Sequence, residues 1–156
     1  MRLSSMADYA VVIMSAAARH CGTCAMVSAA QAHQGGENTA ALRGRISAAQ
    51  LAEETGLPVP TVQKLVSKLS AAGLMRSSRG VGGGLRLARP PATISLADIV
   101  EAVEGPIALT ACLETHKTDC TLHEACHVRP HWPQVNAAVR GALAGVTLTA
   151  LVEQPR

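Results

Sequence analysis

The chain has no phenylalanine, and its aromatic side chains are Tyr9 and Trp132 alone. A core must therefore be assembled from Ala, Val, Leu and Ile, and with 48% apolar residues there are enough of them. Few runs alternate in the manner of strands, so helices are expected to dominate. A second absence is local. Between Pro60 and Pro90 there is no acidic residue, while Lys64, Lys68, Arg76, Arg79, Arg86 and Arg89 are all basic. From Asp98 to Cys126 the balance reverses, with six acidic residues and Lys117 the one basic residue. The first segment suits a polyanion and the second repels one, a polarity hidden in a formal net charge of +3. There is also no apolar run of about 20 residues, and Met1 to Met6 lacks the apolar stretch and cleavage site of a signal peptide. A cytoplasmic protein without a membrane partner is expected. In that compartment five cysteines point to metal or redox chemistry rather than to disulfides.

At 156 residues the chain fits one domain, or one small domain plus an oligomerisation arm. Leu3 to His20 reads as a helix with Tyr9, Val12, Ile13 and Ala16 on one face. Residues 21–45 lose that period and read as a long loop. Ser47 followed by Gln50 forms the pattern of a capping box, opening a helix Ala48–Thr55 that stops at Gly56. Pro60 suits the first turn of a third helix, in which Val62, Leu65, Val66 and Leu69 face the core and Gly73 marks the end. Leu74 to Arg79 is strand-like. A turn of Gly80-Val-Gly-Gly-Gly84 and the alternating Leu85-Arg86-Leu87 complete a hairpin. A hairpin directly after a helix-turn-helix is a wing. Ser95 caps a short helix ending at Glu104, before Gly105-Pro106. After Pro130 and Pro133 a last helix runs to about Val152, with Val135, Val139, Ala142, Val146 and Thr149 spaced as a seam for a partner helix. The fold class expected is mainly α: a winged helix-turn-helix with a small hairpin wing and a long C-terminal dimerisation helix. Residues 1–92 form the DNA-binding part, 93–129 a short helix and cysteine loop, and 130–156 the dimer helix.

The polar face of the third helix carries Thr61, Gln63, Lys64, Ser67 and Lys68. Near a helix N-terminus, Thr and Gln can reach base edges, and Lys neutralises phosphates. Thr61, Gln63 and Lys64 are therefore expected as readers in the major groove, with Ser67 and Lys68 on the backbone. At the wing tip Arg79 could enter a narrow minor groove, and Gly82 and Gly83 let the main chain approach phosphate. GVGGG is no dinucleotide fingerprint, because it joins two strands rather than a strand to a helix.

Cys112, Cys120 and Cys126 share one acidic, aperiodic segment, with seven and five residues between them. A zinc site usually contains a closer pair, whereas wide gaps in an irregular loop suit an iron–sulfur cluster. Three thiolates leave one ligand to find, and His116, His123, His127, Asp119, Glu124 and the distant Asp8 are candidates. Cys21 and Cys24 read as two cysteines at a helix end before a loop, with a second metal or a redox pair as the other reading. No catalytic constellation accompanies any of them.

With those residues in view, the sequence resembles the bacterial winged-helix regulators that include IscR, NsrR and RirA. The resemblance rests on the start MRLSSMADYA, the run GLPVPTVQKLVSKLSAAGLMRSSRGVGGGLRLARP, the run ISLADIVEAVEGPIAL and the three cysteines. It covers nearly the whole chain outside 21–45. The ADYA start, the LPVPTVQKL helix and the CHVRPHW end are most similar to members encoded with the SUF cluster-assembly system. The resemblance implies a homodimer joined through Pro130 to Val152. It also implies binding to a pseudo-palindromic double-stranded DNA operator, usually as a repressor. The cofactor implied is a 2Fe–2S or 4Fe–4S cluster on Cys112, Cys120 and Cys126. In some members an acidic residue of the partner's first helix completes the ligand set, which matches Asp8 here, and in others a nearby His does so, which matches His127. Gln63 matches a base-contacting position and Arg79 the wing arginine. Three features depart from the pattern: the spacing between Cys112 and Cys120 is wider than is common, Leu85 stands where many members have an aromatic, and the 21–45 loop is longer.

The function expected is thus a DNA-binding regulator, not an enzyme, that senses redox, iron or cluster status and controls cluster-assembly genes. The alternatives are a cluster-free or zinc-bound regulator of the same fold answering to a small molecule, and a thiol-redox or metal-carrier protein using Cys21 and Cys24. The basic segment from Pro60 to Pro90 argues against the carrier.

Overall fold

The computed structural model of the chain describes residues 2–20, 44–78, 80, 83–113, 120 and 125–153. Helix α1 (Ser5–His20) is followed by α2 (Ala48–Thr55), α3 (Val59–Ala71), strands β1 (Met75–Ser78) and β2 (Gly84–Leu87), α4 (Leu96–Glu104), α5 (Trp132–Ala144) and α6 (Leu148–Glu153). Single 3-10 turns lie at Pro91–Thr93, Ala111–Leu113 and Arg129–His131. Among the described residues, no helix is long and apolar enough to cross a membrane.

Local chemistry sets most boundaries. Ser4 rather than Leu3 precedes α1, because its hydroxyl accepts from the Ala7 N–H at 3.1 Å and satisfies a free donor of the first turn. The face α1 buries is Ala7, Ala10, Ile13, Met14, Ala16 and Ala17. Ile13 and Ala16 lie where the helical period predicts, but Val12 is 39% exposed, since the alanine-rich side turns inward instead. The expected capping box opens α2: Ser47 Oγ accepts from Gln50 N–H, and Gln50 Oε1 accepts from Ser47 N–H. Gly56 closes α2 at φ +70°, a backbone angle that side chains with a Cβ resist. Helix α3 starts at Val59 with Pro60 in its first turn, where the N–H that proline lacks has no intrahelical partner to lose. Val62, Leu65, Val66 and Leu69 are buried as the spacing requires, and the helix stops at Ala71, two residues short of Gly73.

Strands β1 and β2 pair antiparallel, with Met75 opposite Leu87 and Ser78 opposite Gly84. Leu85 and Leu87 point into the core while Arg86 points out. Ile46 exchanges two backbone hydrogen bonds with Leu85, at 3.0 and 2.8 Å, which ties the wing to the entry of α2. A second capping box, Ser95 with Asp98, opens α4, which buries Ala97, Ile99, Val100 and Val103. α4 packs against α1, α3 and α5.

The C-terminal segment departs from the expected single helix to Val152. It breaks between Ala144 and Leu148. There the chain forms a short antiparallel contact with the entry of α4: Leu96 N–H donates to Val146 O at 2.8 Å, and Leu148 N–H to Ile94 O at 2.8 Å. Thr147 Oγ1 accepts from Ala150 N–H and starts α6. Leu148 is completely buried in the common core. The break follows from these long-range bonds together with the low helix propensity of Gly145. Val135, Val139 and Ala142 remain on α5, whereas Val146 and Thr149 fall past the break.

Removing most of the Leu148 side chain should be costly, because the site is sealed by α1 and the Pro91–Thr93 turn. Leu148→Ala is expected to lower unfolding stability by about 2–5 kcal/mol in urea titration. A loss below about 1 kcal/mol would mean that α6 does not belong to the cooperative core.

Candidate nucleic-acid interface and cysteine segment

Gln63, Lys64, Ser67 and Lys68 are exposed on α3, and Thr61 is half-buried. They share the face opposite Val62, Leu65, Val66 and Leu69, so the core holds the helix by its apolar side and presents the other. Lys68 differs from its neighbours: its Nζ donates to Val103 O in the last turn of α4 at 2.6 Å. The ammonium expected on a phosphate is here bonded to a helix C-terminus, where the aligned peptide dipoles favour a cation.

The wing adds two residues that motif reading leaves aside. Arg76 and Arg86 are directly opposite each other in the β1–β2 register and both are exposed. Like charges across a strand pair repel, and neither has an acidic partner among the described residues. An anion lying against the hairpin would relieve that repulsion. The signal was present in sequence as an arginine between two buried leucines. Gly83 is exposed, its N–H donating to Gly80 O at 2.8 Å. Arg79 and Gly82 lie outside the described residues.

The cysteine segment starts from a well-fastened stretch. Asn136 on α5 grips it with both ends of its amide: Nδ2 donates to Ile107 O at 2.8 Å, and Oδ1 accepts from Leu109 N–H at 3.0 Å. Glu101 on α4 accepts from Ile107 N–H at 3.4 Å and from Arg140 Nε at 2.8 Å, with Arg140 Nη2 on its other oxygen at 2.9 Å. Asn136 and Arg140, one turn apart on α5, therefore fix the same stretch directly and through α4. The Arg140 hydrogen bond outweighs burial and holds the Glu101 carboxyl below the usual range. Asp98 is also lowered: burial pushes it up, but hydrogen bonds from Ser95 and the nearby Arg89 and Arg140 charges prevail.

Thr110 Oγ1 then lies 3.1 Å from Cys112 Sγ. Cys112 and Cys126 are half-buried, Cys120 is exposed, and all three are free thiols. This donor set has the chemistry a cluster takes, soft thiolates in one irregular segment. Among the described residues, however, no three Cys, His, Asp or Glu side chains are gathered closely enough to hold a metal ion. Asp8, in the first turn of α1, and His127 are both exposed. His116, Asp119, His123, Glu124, Cys21 and Cys24 lie outside the described residues. A cleft of about 300 Å³ opens beside the segment, lined by Arg2, Ser4, Glu104, Ile107, Leu109 and Leu143 among others. Two of its lining residues are joined directly, the Ser4 hydroxyl donating to Glu104.

Comparison with known proteins agrees with this geometry. The sequence model of the Rrf2 family, described as an iron-dependent transcriptional regulator, matches residues 37–154. A protein of Neisseria meningitidis named as a helix-turn-helix transcriptional regulator is 32% identical over 111 residues, 71% of this chain and 74% of its own. The transcriptional regulator IscR of Vibrio vulnificus is 33% identical over 104 residues, covering 67% of this chain and 61% of its own. Among solved structures, CymR, the global cysteine regulator of B. subtilis, is similar at a TM-score of 0.67 and 26% identity, covering 100% of this chain and 99% of its own. IscR of T. potens is similar at a TM-score of 0.64 and 25% identity, over 100% and 93%.

The Glu101 pairing makes a pH signature. Because its folded pKa is depressed, Glu101 adds stability above its unfolded value of about 4.3 and loses that contribution as pH falls through the folded one. The stability difference between wild type and Glu101→Gln, followed by thermal melting from pH 7 to 3, is expected to stay level above about pH 4.3 and then to shrink. A difference constant down to pH 3 would show that the carboxylate does not hold the stretch.

Proposed function

The chain belongs to the Rrf2 family of winged-helix transcriptional regulators, and from that premise we propose that it is a homodimeric repressor whose hold on DNA responds to an iron–sulfur cluster on Cys112, Cys120 and Cys126. The observation that carries this reading is one stretch of chain: the segment bearing the free thiols is fastened by Asn136 to α5 and by Glu101 to α4, and α4 packs on the recognition helix α3. The family description as iron-dependent and the IscR relatives support the choice of iron. A cluster would supply the redox and iron sensitivity. The chain's own residues do the rest. Thr61, Gln63 and Lys64 read the major groove, Ser67 lies on the backbone, and the wing meets the flanking DNA through Arg76, Arg86 and Arg79 with Gly82 and Gly83.

Dimerisation through α5 is supported by its exposure. No residue of this 13-residue helix is buried within one chain, and Val135 is 44% exposed. A second copy covering that side would place two α3 helices on successive major grooves, about 34–36 Å apart, and call for a pseudo-palindromic operator. Asp8 then reaches the partner's cysteines from outside, or His127 supplies the remaining ligand within the chain. Cluster-assembly genes are the targets the reading favours. A second reading rests on the cleft beside Ile107 and Leu109: a cluster-free or zinc-bound regulator with a small ligand in that space. A thiol carrier working through Cys21 and Cys24 leaves the basic wing and recognition face unused.

Protein purified without oxygen should be brown, with iron and sulfide in similar amounts per chain, and Cys112→Ser should be colourless. Colourless wild type that resists reconstitution would move the assignment to the cleft ligand. Gln63→Ala is expected to weaken binding to the preferred duplex by about 1–3 kcal/mol and to relax selectivity at one base pair. An even loss across all sequences would make Gln63 a backbone contact instead.

A further inference from the structure

Lys68 sits on the polar face of the recognition helix, yet its ammonium is bonded 2.6 Å from Val103 O, 35 residues away in the sequence. Val103 belongs to the last turn of α4, where carbonyls lack an intrahelical donor. Two residues earlier on the same turn is Glu101, whose carboxylate holds Ile107 N–H and Arg140. Two residues later is Gly105, at φ +90° with its N–H on Glu101 O at 3.0 Å, and then Pro106. Only three residues thus separate the carbonyl that holds Lys68 from the stretch that Asn136 grips, and the proline among them has a fixed φ.

We propose that Lys68 is a positioning residue that couples the cysteine-bearing segment to the recognition helix, by tying α3 to the C-terminal turn of α4, rather than a phosphate contact. A shift of residues 107–109 against α5 moves the last turn of α4, and the Lys68–Val103 bond passes that shift to the C-terminal half of α3. Without the bond, α3 keeps its apolar packing through Leu65 and Leu69 but loses its link to the segment's position. The inference rests on the reading of α3 as the DNA-reading helix and requires no cluster.

The test is a double-mutant cycle on the full-length protein, using a duplex enriched from a random-sequence pool by the wild type. Lys68→Met keeps the apolar stem and removes the donor; Asn136→Ala removes both amide bonds to residues 107 and 109 at a separate site on α5. Each single variant is expected to weaken binding. The double variant should bind about as well as the weaker single one, whereas independent distant sites multiply their effects to within about twofold. The slope of log affinity against log salt should be the same for Lys68→Met as for wild type. Lys68→Arg, which keeps a donor, should restore the response to Asn136→Ala. A slope reduced by about one unit would make Lys68 a phosphate contact and overturn the proposal. Multiplicative effects in the double variant, or no effect of Lys68→Met on affinity, would overturn it as well. A wild type that enriches no duplex and shows no salt-dependent binding would instead fail the DNA-reading assignment itself.

Discussion

Helix α4 is held at both ends and on three sides, and this fastening fixes the relation between the remaining parts. Its first turn is closed by the Ser95–Asp98 capping box and bridged by backbone bonds to residues 146–148. Its last turn receives Lys68 from α3 and, through Glu101, Arg140 from α5. Between the ends it packs on α1, whose buried face is four alanines with Ile13 and Met14. Alanine has no side chain beyond Cβ to hold two helix axes apart, so a core without phenylalanine is closed by close approach rather than by large rings.

The consequence is a division of labour among basic residues that look alike in sequence. Arg89 is drawn to Asp98 at 3.8 Å, Arg140 to Glu101, Arg19 and His20 to Glu54, and Lys68 to a carbonyl. Arg89 ties the segment after β2 to α4, and the others tie one helix to another. Lys64, Arg76 and Arg86 stay on the outer surface of α3 and the wing, where phosphates can reach them. The recognition helix α3 and the stretch 107–109 both rest on α4.

Local signals in the sequence were sufficient wherever the determining contacts are local. The Ser47–Gln50 box, the cap at Ser95, the stop at Gly56, the buried stripe of α3 and the pairing of the two strands on either side of the glycine-rich turn stand where the pattern placed them. The pattern missed what comes from far along the chain. The break after Ala144 depends on Ile94 and Leu96, the turning of Val12 outward depends on which side of α1 meets α4, and the hydrogen bond Lys68 makes depends on Val103. Asn136 carried no signal at all, since an asparagine in mid-helix is unremarkable until residues 107–109 lie against it. The cysteines were legible as a group by composition. Their arrangement around any metal was not, because most of the residues between them fall outside the described part of the chain.

The central claim is that the state of the cysteine segment is felt by the DNA-reading face. It is tested most directly by measuring affinity for one enriched duplex at fixed salt, with protein prepared without oxygen and with the same protein stripped of iron by a chelator. A difference of about fivefold or more between the two forms is expected, in the range of ordinary allosteric coupling. Equal affinities for protein that demonstrably held iron and sulfide before stripping would contradict it.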